Sequence, residues 1–354
     1  MIARLLSHDL PRSRVLSLLL AVIVLCLALT PFLFPSVKAL NVAAKILVFI
    51  VLVASYDLLL GYTGIVSFAH TMFFGIGAYG IAIASSKLGA GWGSLAVGTL
   101  GALAVSLLLS LVIGLFSLRV RAIFYAMITL AVASAFMTLA SQLSGLTGGE
   151  DGLTFRLPEL LAPSFQLTEE PLLGVYLDGR FMTYYLVFFV SALLFLAMLR
   201  IVNSPFGRVL QAIRENDFRA EAIGYRTVVF RIWSNVLAAL FATLAGCLLA
   251  LWLRYNGPDT SLAFEIMVDI LLIVVIGGMG TMYGAICGAT LFLLAQSYLQ
   301  DLMGMAARAT SSIPILPDLL SPDRWLLWLG ILFVLSVYFF PTGIVGKLRD
   351  WRVR

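Results

Sequence analysis

The chain has 354 residues, of which 61% are hydrophobic and only 12% are charged, and its mean hydropathy is +1.04. An ordinary soluble chain is about 25% charged and about 45–50% apolar, so the composition excludes a soluble globular protein, a disordered chain and a secreted disulfide scaffold. The net charge of +5 is attributed to residues that orient the chain in a membrane rather than to nucleic-acid binding.

Long apolar runs predict an all-α fold, a polytopic transmembrane helical bundle, because a membrane helix needs roughly 20 apolar residues. The first run, Val15 to Phe34, follows a basic segment and is too long for a usual signal peptide, so we interpret it as an uncleaved helix. With the later runs the bundle has about ten spans, eight being the alternative, and 1–354 forms a single transmembrane domain. The later runs are 40–60, 65–86, 94–117, 121–142, 182–202, 229–253, 264–278, 283–299 and 324–340.

The distribution of charge predicts the orientation of the bundle. In a ten-span chain the basic segments all fall on one side, and the long 143–181 loop, which is rich in acidic residues, falls on the other. Lys and Arg concentrate in cytoplasmic loops, so both termini are predicted to be cytoplasmic and the 143–181 loop periplasmic. The basic segments are the N-terminus with Arg4, Arg12 and Arg14, the loop at Arg119 and Arg121, the 203–228 loop and the 341–354 tail.

Two glycine-rich interruptions, at 61–70 and 277–284, fall at corresponding positions in two five-segment halves. Non-helical backbone survives at membrane depth only where protein or a water-filled cavity satisfies it. Paired interruptions of this kind therefore point towards a translocation path. The alternative, tight helix packing, applies best to the second interruption, whose glycines recur every four residues. Broken-helix or packing roles are assigned to Gly61, Gly64, Gly277, Gly278, Gly280, Gly284 and Gly288.

Polar and aromatic residues near these interruptions are candidates for lining a substrate path. His70 is either a proton relay or a hydrogen-bonded structural residue. Asp269 lies deepest in an apolar run and is the best candidate for a functional acid, whereas Lys45, Asp57 and Glu265 lie near enough to segment ends to reach the interface. The path candidates are Ser67, Phe68, His70, Phe73, Tyr79 and Asp269.

The 203–228 loop predicts one or two short amphipathic helices on the cytoplasmic side. Ser204 is a suitable N-cap with Pro205 in the first turn, and Gly224 is a suitable stop. The loop either lies at the lipid headgroups or docks a cytoplasmic partner. One face would carry Val209, Ala212, Ile213 and Asn216, and another would carry Arg208, Gln211, Glu215 and Arg219.

Five stretches of the sequence, in order from roughly 60 to 345, resemble motifs of the LivM-type permease subunits of ABC importers for branched-chain amino acids. The coincidence of five motifs in order is far more specific than any one of them. The stretches are Gly61–Tyr79 (GYTG and FFGIGAY), Thr147–Gly152 (TGGEDG), Ser204–Gly224 (SPFGR and AIREN), Val274–Gly284 (VVIGGMGTMYG) and Phe339–Gly343 (FFPTG).

The resemblance implies a multi-pass permease in the inner membrane of a bacterium or archaeon that forms half of a translocation path. Its partners would be a second, LivH-type permease or another copy of this chain, two cytoplasmic ATPase subunits that bind the ATP, a periplasmic substrate-binding protein and membrane lipid, with no nucleic acid. The 204–224 segment would be the ATPase-coupling loop. Its contact residues would be Arg208, Arg214, Glu215 and Glu221, with Gly224 at its turn.

Departures from the family pattern leave the substrate open among branched-chain amino acids, urea, short amides and aromatic acids. Ala69 stands where the family usually has Gly, and Asp269 where Glu is common. An ion-coupled secondary transporter is the main alternative, disfavoured by the few buried charges. A membrane enzyme is disfavoured because only two histidines, His8 and His70, are present and neither belongs to a ligand-spaced set. No metal or other cofactor is expected on this chain.

Overall fold

The computed structural model describes residues 13–34, 36–117, 122–166, 177–309 and 321–350. The predicted orienting residues Arg4, Arg12, Arg119 and Arg121, as well as His8 and the end of the 341–354 tail, lie outside the described residues.

The described part of the chain is almost entirely helical, as predicted. One antiparallel pair of two-residue strands, β1 (Leu153–Thr154) and β2 (Tyr255–Asn256), joins two distant loops. The helices are α1 (Arg14–Leu33), α2 (Val37–Thr63), α3 (His70–Leu88), α4 (Trp92–Ser117), α5 (Ala122–Gln142), α6 (Ser144–Thr147), α7 (Gly179–Val202), α8 (Pro205–Glu215), α9 (Asp217–Ala222), α10 (Thr227–Leu253), α11 (Pro258–Ser261), α12 (Phe264–Gly277), α13 (Met282–Ala309), α14 (Trp325–Phe339) and α15 (Gly343–Asp350).

Within the described residues, 9 helical segments are long and apolar enough to cross a membrane. The remaining one of the ten predicted spans, 65–86, corresponds to α3, which is not among the 9 segments. This helix begins only at His70 and has a buried surface along most of its length, so it lies inside the bundle rather than facing lipid. The 9 segments are Arg14–Leu33, Val37–Thr63, Trp92–Phe116, Ile123–Gln142, Gly179–Val202, Thr227–Leu253, Pro258–Gly277, Met282–Arg308 and Pro322–Leu348.

The core of the bundle is formed by α2, α3 and α10, which are the most buried of the long helices. Small residues let α3 and α10 approach at backbone distance. A Cβ on Gly77 would collide with the carbonyl oxygen of Thr243, and one on Gly246 would collide with the carbonyl oxygen of Phe74. Such small-residue contacts are how membrane helices gain close packing without a hydrophobic driving force between them.

A proline in α1 is compensated by a tyrosine from α7. Pro31 has no N–H and leaves the carbonyl of Leu27, four residues earlier, without its helical donor. The hydroxyl of Tyr184 donates to that carbonyl instead, and the hydroxyl of Tyr185 donates to the carbonyl of Ala28 at 2.8 Å. The carbonyl that Pro31 leaves without a helical donor is therefore satisfied by a side chain, as buried backbone groups usually are.

Loops predicted to share one side of the membrane meet at the same end of the bundle. At one end, residues 203–228, which contain α8 and α9 and which we call the α8–α9 loop, contact the end of α2 through Arg214 and Gly61. At the same end, Gly278 lies against Gly343 at the start of α15. At the other end, β1 of the acidic loop pairs with β2, which follows α10. When α3 is counted as a crossing, this arrangement agrees with the alternation expected of ten crossings, while the assignment of the first end to the cytoplasm stays a prediction.

Candidate functional site

The first interruption of the helical backbone lies between α2 and α3, at residues 64–69. Gly64 has a φ of +73°, which ends α2 in a left-handed turn. The extended backbone that follows is satisfied by side chains. The N–H of Phe68 donates to Thr129 Oγ1 at 3.0 Å, and that of Ala69 donates to Ser67 Oγ at 3.3 Å. The chain thus holds a non-helical segment inside protein, as backbone at membrane depth requires.

The second interruption lies between α12 and α13, at residues 278–281. Gly278 and Gly280 have φ values of +112° and +79°, which residues other than glycine rarely adopt. Thr281 Oγ1 donates to the carbonyl of Gly278 at 2.6 Å. Further along, a Cβ on Gly288 would approach the carbonyl oxygen of Ile273 to 2.5 Å. Glycine is therefore used here both to turn the chain and to let α12 and α13 pack closely.

The two interruptions touch each other through four residues, Asp57, Gly61, Arg214 and Gly280, which we call the junction cluster. Asp57 is only 2% exposed, and its Oδ1 accepts from the N–H of Gly280 at 2.9 Å. The guanidinium of Arg214 donates to the carbonyl of Gly61, and a Cβ on Gly280 would lie 2.7 Å from Arg214 Nη1. One arginine from the α8–α9 loop therefore sits against both interruptions.

Asp57 is also the residue with unused bonding capacity in the junction cluster. Its second oxygen, Oδ2, is buried and has no hydrogen-bond partner among the described residues. The sequence interpretation that Asp57 reaches the interface is wrong, because its carboxylate binds the backbone of the second interruption instead. Buried acceptors usually have a hydrogen-bond partner. The junction cluster therefore allows a second arrangement, in which the guanidinium of Arg214 donates to Asp57 Oδ2 instead of to the carbonyl of Gly61.

The helix α8 is built as its capping residues predict. Ser204 Oγ accepts from the N–H of Gly207 at 3.4 Å, with Pro205 in the first turn. Gly207, Leu210 and Ile213 form the buried face. Asn216, which was predicted to share a face with Ile213, is exposed and caps α9, its Oδ1 accepting from the N–H of Arg219 at 2.9 Å.

The α8–α9 loop is fastened to α10 by polar contacts. Glu221 Oε1 accepts from Thr227 Oγ1 at 2.7 Å, and Asp217 pairs with Arg231 at 2.9 Å. Gly224 makes the turn between them with a φ of +98°. A displacement of the loop is therefore transmitted to α10 as well as to the junction cluster.

The outer surface of the same loop carries both charge and exposed apolar residues. Arg208 and Glu215 are exposed on α8. Phe218 is 83% exposed and Ile223 is 69% exposed. Large apolar side chains held out beside charged ones mark an interaction surface.

The candidate path residues are not brought together into one passage. Ser67, His70, Phe73 and Tyr79 are buried, and Phe68 is half-buried with its ring 6.2 Å from that of Phe264. Asp269 lines a cavity that it shares with Lys45, and none of the other path candidates lines that cavity.

His70 lies in a setting that fits a structural role. Its Nε2 lies 2.8 Å from Ser55 Oγ, and its ring meets that of Tyr56 edge-on.

Sequence reasoning missed the roles of Asp57 and Lys45. Both were assigned to the interface because of their nearness to segment ends. Lys45 Nζ instead donates to Gln296 Oε1 at 3.2 Å inside the bundle. The available signal was the presence of a charge within an apolar run, which by itself indicates function. Among the described residues, no group of three or more His, Cys, Asp or Glu side chains could hold a metal ion.

Comparison with known proteins points to one family. The family model described as "Branched-chain amino acid transport system / permease component" matches residues 38–337. The chain is similar to the high-affinity branched-chain amino acid transport system permease protein LivM of Escherichia coli. The two are 26% identical over 344 residues, which cover 94% of this chain and 75% of the relative.

More distant relatives come from other lineages. The probable branched-chain amino acid transport permease protein LivM of Methanocaldococcus jannaschii is 24% identical over 298 residues, or 80% of this chain and 81% of the relative. The high-affinity branched-chain amino acid transport system permease protein BraD of Pseudomonas aeruginosa is 24% identical over 303 residues, or 82% of this chain and 89% of the relative. No solved structure matches the chain significantly.

Proposed function

This chain belongs to the family of branched-chain amino acid transport permease components, and we propose that it forms half of the translocation path of an ATP-driven importer for branched-chain or related amino acids. The family match over residues 38–337 and the named relatives support this function. The chain itself hydrolyses nothing. ATP binds to partner subunits, and the inner membrane holds this chain through its apolar helices.

The proposed assembly contains a second, LivH-type permease, two cytoplasmic ATPase subunits and a periplasmic substrate-binding protein. The exposed surface of the α8–α9 loop supports ATPase docking, because it combines Arg208 and Glu215 with the apolar side chains of Phe218 and Ile223. Charged and apolar residues together suit a surface that must bind a partner and still be soluble without it.

The observation that carries the coupling role is the contact of Arg214 with Gly61. When the ATPase subunits close, they displace α8, and α8 carries the guanidinium of Arg214 with it. The carbonyl of Gly61 then loses its donor. The buried Oδ2 of Asp57, which has no partner among the described residues, offers the guanidinium of Arg214 an alternative acceptor. Because Asp57 also holds the N–H of Gly280, the exchange reaches both interruptions. ATP closure thereby shifts the population between two access states.

Purification of the tagged chain from its native membrane in mild detergent tests this function. Recovery of a second permease and two P-loop ATPases is expected. Recovery of the chain alone, still transporting in liposomes without ATP, would overturn the proposal in favour of an ion-coupled transporter.

A further inference from the structure

A cavity of about 370 Å³ lies between α2, α10 and α12, on the side of the bundle away from the junction cluster. Its volume falls within the range of about 300–1,000 Å³ that small-molecule sites occupy. Its wall carries the charged side chains of Lys45, Asp259 and Asp269 together with apolar side chains. The apolar lining includes Phe49, Phe74, Leu249 and Ile266.

Lys45 and Asp269 are bridged by an amide rather than paired directly. Lys45 Nζ donates to Gln296 Oε1 at 3.2 Å, and Gln296 Nε2 donates to Asp269 Oδ2 at 3.2 Å. The amide therefore presents a negative end to the lysine and a positive end to the aspartate. A charged side chain inside a membrane bundle is expensive and marks a functional site by default. A structural cross-link between helices would need only neutral groups.

The carboxylate and ammonium of an α-amino acid present the same pattern as the amide of Gln296. We propose that this cavity binds the zwitterion of an aliphatic α-amino acid during passage. The substrate carboxylate lies on Lys45, its ammonium lies on Asp269, and its side chain lies against Phe49, Phe74 and Ile266. This inference rests on the proposed function, because it names the site and the chemical class of the substrate.

A second cavity of about 250 Å³ adjoins the first and provides an entrance. The two share Asn41, Trp252 and Leu253, and the outer one adds Arg180 and Arg254. Two arginines attract the carboxylate end of a zwitterion first and orient it towards Lys45. Trp252 Nε1 donates to Asn41 Oδ1 at 3.1 Å, and both residues line both cavities.

The site predicts a specific pattern of ligand preference. Leucine carries both charges, leucinamide lacks the carboxylate, and 4-methyl-2-oxopentanoate lacks the ammonium. The wild-type complex prefers leucine to both analogues. Lys45→Gln removes the preference for leucine over leucinamide, and Asp269→Asn removes the preference for leucine over the oxo acid. Each substitution weakens leucine binding by about tenfold or more, as expected when a hydrogen bond to a charged group is lost.

Equilibrium binding of radiolabelled leucine to the purified complex in liposomes, without the binding protein, tests this pattern. Lys38→Gln is the matched control, because Lys38 is on the same helix but pairs with Asp301 at the surface. The control is expected to bind leucine as the wild type does. Absence of leucine binding to the wild type, or unchanged preference ratios in both variants, would overturn the site.

A further variant keeps the test decisive if the charge substitutions prevent assembly. Ile266→Trp fills the apolar part of the cavity and leaves both charges in place. Because the indole takes the space of the leucine side chain, leucine binding is expected to weaken by about tenfold or more while glycine binding is retained. Equal effects on both ligands would contradict the site. ATP-driven leucine uptake with the binding protein present is measured in the same liposomes. Wild-type uptake in every variant would overturn this site alone, whereas no ATP-driven uptake by the wild type would overturn the proposed function.

Discussion

Asp57 and Gly280 lie 223 residues apart in the sequence, yet Asp57 Oδ1 accepts the backbone N–H of Gly280 at 2.9 Å. This hydrogen bond joins α2 to the turn between α12 and α13. It satisfies a backbone donor at a turn where no helical acceptor is available. The aspartate therefore has a structural reason to be buried, in addition to its nearness to Arg214.

Removal of the Asp57 carboxylate is expected to destabilise the chain. Asp57→Ala leaves the N–H of Gly280 buried without an acceptor, which costs about 1–3 kcal/mol. Asp57→Asn retains an acceptor oxygen and should lose much less. Thermal unfolding of the purified complex in detergent measures the difference. Equal melting temperatures for the two variants would contradict the role of this hydrogen bond.

A methyl group at Gly61 is expected to separate the two interruptions. The new Cβ would collide with Asp57 Oδ1 and with the N–H of Gly280, and overpacking of this kind costs about 1–3 kcal/mol. Gly101→Ala is the matched control, since Gly101 is also helical but has nothing within 4 Å of the added methyl. Lower thermal stability and uptake are expected for Gly61→Ala only. Equal behaviour of the two variants would refute the close contact.

Loss of the Arg214 guanidinium is expected to uncouple ATP hydrolysis from uptake. Arg214→Gln removes the charged donor to Gly61 while the rest of α8 stays capped by Ser204. The number of substrate molecules imported per ATP should fall by about tenfold, the effect of losing one hydrogen bond to a charged group, while hydrolysis continues.

Lys87→Gln provides the control for this experiment. Lys87 lies in the last turn of α3, away from the junction cluster, and its substitution should leave the ratio unchanged. Wild-type coupling in Arg214→Gln would show that Arg214 has no coupling role.

Local signals predicted much of the fold. The apolar runs gave the long helices, and Ser204 with Pro205 correctly predicted the start of α8 because capping depends on neighbouring residues. The start of α3 was placed at 65, whereas the helix begins at His70. Residues 64–69 stay non-helical because the N–H of Phe68 donates to Thr129 of another helix, a contact that no local pattern indicates. The β1–β2 pair was not predicted, because its two residues on each strand carry no periodic pattern.

The site was less predictable because its contacts join residues that are far apart in the sequence. Lys45 and Gln296 are 251 residues apart, and Arg214 and Gly61 are 153 apart. The glycines at both interruptions were visible in the sequence, but nothing local indicated that the two interruptions touch. The meeting of Asp57 with Gly280 follows only from the packing of α2 against the end of α12.

The exposed apolar residues of the α8–α9 loop are expected to bind the ATPase subunits. Phe218→Ser and Ile223→Ser should reduce the amount of ATPase that co-purifies with the chain without lowering its thermal stability, because both side chains are exposed. Phe218→Leu, which stays apolar, should retain more ATPase than Phe218→Ser. Full ATPase recovery with both serine variants would exclude this surface as the docking site.

The charge distribution predicts which end of the bundle faces the cytoplasm. In a Cys26→Ala background, Glu159→Cys should react with a membrane-impermeant maleimide added to spheroplasts, whereas Lys347→Cys, on the predicted cytoplasmic side, should react only after permeabilisation. Both positions are exposed, and Cys247 and Cys287 are buried. The opposite labelling pattern would reverse the predicted orientation.

Uptake of radiolabelled leucine by proteoliposomes that contain the purified complex tests whether ATP drives import. The binding protein is supplied outside, and either ATP or a non-hydrolysable analogue is enclosed. We expect uptake with enclosed ATP, no uptake with the analogue, and no dependence on an imposed proton or sodium gradient. Uptake driven by such a gradient in the absence of ATP would contradict this expectation.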